Sequence, residues 1–524
     1  MRERNTEEGE TAAIDPFWRL AWSDTCAYAQ DVRTRTVSLI VLIALAATAC
    51  GAADSGVTAT RARKGAGGGI ITGDTTNGPQ KDYPIIDGVV DFGERGPVHP
   101  EYDGFLTAAF ADIQSFWATA YPDTYSTAWT PLSGGIYAAY PDREAEIPGC
   151  GGGTTSSYND VATRGAFYCP VTDFMAYDDD GLLPSLVDSL GREAVAIVLA
   201  HEFGHAVQNR AGEGSQRVVL KEQQADCFAG AWSAHVAAGA SDTIRFDDKA
   251  VRAGLVAMLS ISDPLLSDGT NPLDVQDAHG TGFDRVGAFQ DGYEGGVQRC
   301  KTFFTEDRLS KLIDIPFDPN DPNAGNLPLV DPNPDPTNGA NDIVTVIPAG
   351  LDEFWVALTK DNSITFTPPT YSAYSANGPF PTCSGIDAAA WKSNVIYCVG
   401  DNTIYWDQDY ALRLSSDPHF GDMSVGYLFS GAYGEAIQVV LKSTASGENR
   451  ALGNDCLTGA WVASILPPAT DKKIVLSAGD LDEAVSTMIA LSDPSTDTNV
   501  VGSAFEKVSA FRKGVLGGLA ACQG

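Results

Sequence analysis

The sequence predicts a predominantly helical protein of the α+β class built as two related units, and two observations lead there. One is a helix-period run of apolar residues carrying "VLAHEFGHAVQ" at residues 198–208. The other is self-similarity, since blocks of the first half return in the same order in the second. "SFWATAYPDTYSTAWTPL" from Ser115 is echoed by "EFWVALTKDNSITFTPPT" from Glu353, and "FYCPVTDFMAYDDD" from Phe167 by "IYCVGDNTIYWDQD" from Ile396. "ADCFAGAWSA" from Ala225 returns as "NDCLTGAWVA" from Asn454, and "MLSISDP" from Met258 as "MIALSDP" from Met488. "FDRVGAFQDGYEGGVQRC" from Phe283 matches "FEKVSAFRKGVLGGLAAC" from Phe505.

Along the chain, Arg33 and Arg35 precede "VSLIVLIALAATAC", an apolar run too short for a permanent membrane helix but as long as a signal-peptide core. Ala47-Thr48-Ala49-Cys50 resembles a bacterial lipobox, with alanine where leucine is commoner at the first position. Cys50 is therefore expected to be lipidated and to begin the mature chain, with plain secretion as the other outcome. Residues 1–31 are acidic and mixed, unlike the start of a signal, so translation is expected near Val32 and 1–49 is read as a signal region. Residues 50–99, opening with a Gly-, Ala-, Ser- and Thr-rich stretch, are read as a flexible tether.

The two related units are expected at residues 100–305 and 345–524, joined over 306–344 by a Pro-, Asp- and Asn-rich linker that resists helix and central strand alike. A chain of 524 residues with 44% hydrophobic residues has room for both. Its formal net charge of -34 repels phosphate backbones and anionic lipid, which argues against nucleic acid and leaves the lipid anchor as its membrane contact. Export turns the cysteines toward disulfides. Cys150 and Cys169 correspond to Cys383 and Cys398, and Cys227 and Cys300 to Cys456 and Cys522. Pairing within each set gives Cys150–Cys169, Cys227–Cys300, Cys383–Cys398 and Cys456–Cys522, although sequence alone permits other connectivities.

The opening motif follows Glu193 and a dense apolar run and ends at Ala211-Gly212, which places it inside a buried helix. His201 and His205 then lie on one face a turn apart, where two imidazoles can hold one zinc ion, with Glu202 beside them to take a proton from zinc-activated water. After a glycine-containing turn, a second helix supplies Glu222 and Asp226, also four apart. Glu222 is expected as the third zinc ligand. Asp226 is expected to hydrogen-bond a ligand histidine from behind. His279 in "DAHGT" could donate to the oxyanion formed when water attacks a peptide carbonyl, or could be a loop contact. His235 is read as structural, and His99 and His419 receive no function.

These motifs resemble the neutral zinc metallopeptidases of bacteria. The resemblance rests on Gly149–Gly151, Phe167–Pro170, the HExxH segment, Glu222–Gly230, His279–Thr281 with Arg285, and Cys300–Phe303. It implies a zincin-like, gluzincin-type fold, zinc at His201, His205 and Glu222, and peptidase activity. One departure is the short "AVQNRAGEGSQRVVL" at 206–220, expected to open or reshape the substrate cleft.

In the second half, Gly431 stands at the place of His201, Ala432 at Glu202, Glu435 at His205, Ala451 at Glu222 and Val501 at His279. A zincin-like copy without metal is expected there, free to brace the first unit, cap its cleft or bind a peptide uncut. The leading reading is thus an exported, lipid-anchored zinc metallopeptidase with one zinc per chain and a peptide or protein substrate. Its rival is a non-catalytic envelope binding or assembly protein with structural or vestigial zinc. Amide hydrolysis in cell-wall peptides is a third.

Overall fold

The computed structural model describes residues 82–522 apart from 152, 154, 215, 264–277, 314, 316–325, 330–341, 418–419, 470–471 and 493–501. The signal region, Cys50, most of the tether, much of the linker, His419 and Val501 lie outside the described residues.

The first half opens with a long helix α1 (Asp103–Tyr125), followed by β1 (Gly135–Ala139), the short strands β2 (Ile147–Pro148) and β3 (Thr155–Ser156), and a one-turn helix α2 (Tyr158–Ala162). Then come β4 (Ala166–Cys169), β5 (Phe174–Asp178) and the helices α3 (Leu182–Leu190), α4 (Arg192–Ala211), α5 (Val218–Ala237), α6 (Asp248–Ser260) and α7 (Gly282–Cys300). A three-stranded sheet has the order β1-β5-β4, with β1 parallel and β4 antiparallel to β5, and Tyr137 opposite Ala176. Helix α4 is apolar all round from Ala194 to Ala200 and runs through the core, as such a helix must.

After a short helix α8 (Glu306–Leu309), the second half runs α9 (Ile343–Asp361), β6 (Thr370–Tyr374), β7 (Val395–Cys398), β8 (Thr403–Asp407), α10 (Gln408–Ser415), α11 (Gly421–Val440), α12 (Gly447–Ser464), α13 (Asp480–Ala490) and α14 (Ala504–Ala521). Its sheet has the order β6-β8-β7, again with the first strand parallel and the second antiparallel to the central one. The protein is thus α+β and mostly helical. Helices α5 and α7 pack so closely that a Cβ on Gly230 would collide with the Phe289 carbonyl, and Gly459 and Phe511 repeat that approach between α12 and α14.

Two boundaries differ from expectation. The tether does not extend to 99: Val90 and Phe92 are buried, Asp91 bridges to Tyr137, and the Tyr83 ring meets Phe105 at 5.3 Å. Sparse apolar residues in this stretch suffice because Val90 and Phe92 enter the core and Tyr83, Ile85, Ile86 and Val89 pack against it, while Val98 stays exposed. The linker region likewise begins as packed chain, with Leu312 buried and the Arg308 guanidinium donating to Asp291 Oδ2 at 2.8 Å and Gln223 Oε1 at 2.9 Å.

The halves share one continuous hydrophobic core. At the seam, the Gln290 side-chain amide donates to the Phe505 carbonyl at 2.8 Å, and the Tyr293 and Phe505 rings lie 4.7 Å apart. Asp482 of α13 accepts the Gly282 and Phe283 amides at 2.9 and 2.7 Å, capping the start of α7.

Four disulfides join Cys150 to Cys169, Cys227 to Cys300, Cys383 to Cys398 and Cys456 to Cys522. Cys227–Cys300 ties α5 to α7 across 73 residues of sequence. Closing so long a loop removes entropy from the unfolded chain, so replacing both cysteines by serine is expected to cost about 4 kcal/mol. Denaturant melts of the double variant check this; a loss under about 1 kcal/mol would place the stability of the α5–α7 pair in packing alone.

Candidate metal centre

Helix α4 sets His201 and His205 one turn apart on the face toward α5. The His201 side chain is only 4% exposed and that of His205 21%, giving the site a closed floor and an open mouth. Glu222 enters from the first turns of α5. Its Oε2 lies 3.2 Å from His201 Nε2 and its Oε1 3.5 Å from His205 Nε2. One ligand atom from each of the three residues falls within 4.8 Å of the others, so the structure brings the sequence-derived zinc ligands together.

Groups behind them fix the rings. His201 Nδ1 donates to Asp226 Oδ1 at 2.6 Å, and Asp226 also receives the Arg285 guanidinium at 2.8 and 3.0 Å. Arg285 completes its bonding on the Ile261 carbonyl at 2.6 Å. His205 Nδ1 donates to Gln208 Oε1 at 3.0 Å, with the amide oriented because its Nε2 donates to the Lys221 carbonyl at 2.6 Å. Both Nε2 atoms are thereby turned toward Glu222.

His279 stands at the mouth, its Nε2 4.0 Å from Glu222 Oε2 and its Nδ1 3.2 Å from Asp263 Oδ1. The other Asp263 oxygen accepts the His279 and Gly280 amides at 2.7 and 2.8 Å. Of the remaining histidines, His235 sets its ring 5.1 Å from that of Phe116 and tilted to it, and His99 Nε2 lies 3.1 Å from the Asp179 carbonyl. Sequence reasoning does not single out Gln208 or Asp263. Gln208 does carry a signal, being one turn past His205 on the same face. Asp263 carries none, because nothing in the sequence links it to a histidine 16 residues on.

The electrostatics favour a cation. Burial disfavours an imidazolium at His201, but the Asp226 carboxylate, by charge and hydrogen bond, and Glu222 push its pKa up to about 10. Burial opposes protonation of His205 as well, and Glu222 reverses that too. Against its own burial, Glu222 is held well below the usual carboxylate range by the two imidazoles. Burial pushes the Glu202 carboxyl up, partly offset by His201 and His205. Buried carboxylates thus draw positive charge to the imidazole Nε2 atoms, and two imidazoles with one carboxylate and a solvent-facing side are the donor set of a catalytic zinc site.

The matching positions of the second half are bonded differently. Gly431, Ala432 and Ala451 offer no ligand atom, and the Glu435 carboxylate takes the Arg450 guanidinium at 2.6 and 2.7 Å. Asp455 receives the Tyr427 hydroxyl at 2.6 Å and Lys507 Nζ at 3.3 Å. Gln438 Nε2 donates to the Arg450 carbonyl at 2.8 Å. An aspartate with a cationic partner, and a glutamine bonded to a carbonyl of the next helix, therefore occur in both halves.

Known proteins resemble part of this chain in sequence. Residues 147–303 match the model of the family described as "Putative neutral zinc metallopeptidase". An uncharacterized protein of Mycobacterium tuberculosis is 29% identical over 239 residues, covering 41% of this chain and 80% of that protein, and one of Mycobacterium bovis matches to the same extent. The uncharacterized protein YpfJ of Escherichia coli is 31% identical over 177 residues, covering 30% of this chain and 57% of YpfJ. No solved structure matches the chain. The stretch that matches holds the HExxH helix, Glu222, Asp226, His279 and Arg285, and over residues 147–303 the chain matches the neutral zinc metallopeptidase family that its motifs resemble.

Proposed function

We propose that the first half is a zinc metallopeptidase that hydrolyses peptide bonds, with one zinc held by His201, His205 and Glu222. The observation that carries this reading is the meeting of those three side chains within 4.8 Å, each imidazole braced from behind and the mouth open to solvent. Bound zinc supplies a Lewis acid and makes a water acidic near neutral pH, at a pKa of roughly 7. Glu202 is next to His201 on α4, partly exposed, within the field of His201, His205, Glu222 and His279. It takes the proton of the attacking water and passes it to the leaving amine, work that suits a carboxyl whose pKa burial has raised. His279, held on Nδ1 by Asp263, donates from Nε2 to the oxygen that gains charge when both ring nitrogens are protonated. Asp226 and Gln208 position the ligand imidazoles.

The four disulfides fit an oxidising compartment, and among the described residues no helix is long and apolar enough to cross a membrane. The disulfides support export, and a lipid anchor at Cys50 is the form of export that the lipobox-like Ala47–Cys50 suggests. The second half is read as a copy of the first that lacks the zinc site, supported by its matching element order, disulfides and helix-packing glycines.

Zinc titration of the metal-free chain together with a peptide-library digest tests the proposal. One zinc per chain is expected, with protons released on binding, because the His201 imidazolium persists to about pH 10 and the His205 pKa is also raised. The sign follows: raising pH from 6 to 8 removes competing protons, so zinc affinity climbs. A zinc-loaded chain that cleaves nothing in a broad library would favour the binding-protein reading.

A further inference from the structure

The second half carries its own cluster of metal-ligating groups, remote in sequence from the HExxH helix. Asp422 begins α11, and Asp480 and Glu483 lie in the first turn of α13. One carboxylate oxygen from each falls within 4.8 Å of the others. Asp422 and Asp480 are 5% and 6% exposed, so these charges are out of water, where carboxylates without cations are costly. None of the three forms an ion pair with a lysine, arginine or histidine among the described residues.

Each carboxylate is already anchored from outside. Asp422 Oδ2 accepts the Leu327 amide at 2.7 Å, Glu483 Oε2 the Met423 amide at 3.0 Å, and Asp480 the Ser477 amide and hydroxyl at 2.8 and 2.7 Å. The second oxygen of Asp422, Oδ1, is buried without any hydrogen-bond partner, while the Asp422 carboxyl meets that of Glu483. Acceptors facing acceptors in a buried site require a cation or shared protons.

We propose that Asp422, Asp480 and Glu483 bind a calcium-class divalent cation in the second half. All three donors are oxygens, which excludes a thiolate- or imidazole-seeking metal. Calcium holds oxygens at 2.3–2.6 Å, so two ligands of one ion lie at most about 5 Å apart, and the cluster fits inside that limit. Magnesium sheds its waters reluctantly, which disfavours it where the ligands are buried. In the first half the matching positions are Arg192, Ala250 and Ala253, so this site belongs to the second half alone. Helix α13 also carries Asp482, which caps α7 beside His279-Gly-Thr281, so a cation that fixes the start of α13 braces the helix bonded to the zinc-bearing half.

The test uses the full chain freed of divalent ions and reloaded with one equivalent of zinc, titrated with calcium chloride by calorimetry and followed by thermal unfolding. One further calcium per chain is expected, with Kd on the order of 10⁻³ M or tighter and a rise in Tm. Asp480→Asn and Glu483→Gln each keep the side-chain shape. They are expected to weaken calcium binding by at least tenfold while unfolding, without calcium, at or above the Tm of the unaltered chain because a buried negative charge has gone. Zinc content of both variants should stay at one per chain, which separates this result from any failure of the peptidase reading. The proposal is overturned if calcium neither binds nor shifts Tm, as expected of carboxyls that only share protons, if the variants bind as tightly as the unaltered chain, or if magnesium binds more tightly than calcium.

Discussion

Glu202→Gln is expected to keep its zinc and to lose about 10²- to 10⁴-fold in kcat/KM on any peptide the unaltered chain cleaves. The amide preserves the size and shape of the carboxylate, and no ligand side chain depends on it: His201 is held by Asp226, His205 by Gln208, and Glu222 sits on the neighbouring helix. What the substitution removes is a group able to take a proton and return it. The loss corresponds to about 3–5 kcal/mol of transition-state stabilisation. Elemental analysis and initial rates, measured on the same preparation, give the two readings. Undiminished turnover would remove Glu202 from the mechanism while leaving the metal site standing, whereas loss of zinc would mean that Glu202 helps hold the ligands.

The legible part of this site was the part written in helix geometry. Positions four apart on a helix share a face whatever surrounds them, so His201 with His205, and Glu222 with Asp226, follow from spacing alone once both stretches are helical. Comparison of the two halves added a filter, since Asp226 and Asp455 are both aspartate while the positions of His201 and Glu222 change. Contacts made through loops and between distant segments were not legible. Asp263 reaches His279 only because the chain returns, and Asp482 reaches the start of α7 from 200 residues away. Composition also underestimated the stretch from residue 82, where a few apolar side chains among prolines and glycines are enough to dock on α1 and β1. Low apolar density argues against an independent core, but it does not prevent docking on one already formed.

Asp226→Ala is expected to produce the largest loss of stability of any single substitution at the site, about 3–5 kcal/mol. Asp226 is fully buried, and so, to 1%, is Arg285, whose guanidinium makes two of its hydrogen bonds to that carboxylate. Removing the acid leaves a guanidinium that cannot shed its charge in a site water does not reach. The same change frees His201 Nδ1, so the ring loses the bond that sets its tautomer and zinc affinity should fall about 10- to 100-fold. Urea melts and zinc competition measure the two effects separately. Asp455→Ala is the internal comparison: its partner Lys507 is 12% exposed, sits on a longer flexible stem and can swing its ammonium toward solvent. That variant should lose clearly less stability and no zinc. If the two alanine variants proved equally destabilising with zinc affinity unchanged in both, Asp226 would be a packing element common to the two halves, and the orientation of His201 would have to come from Glu222 alone.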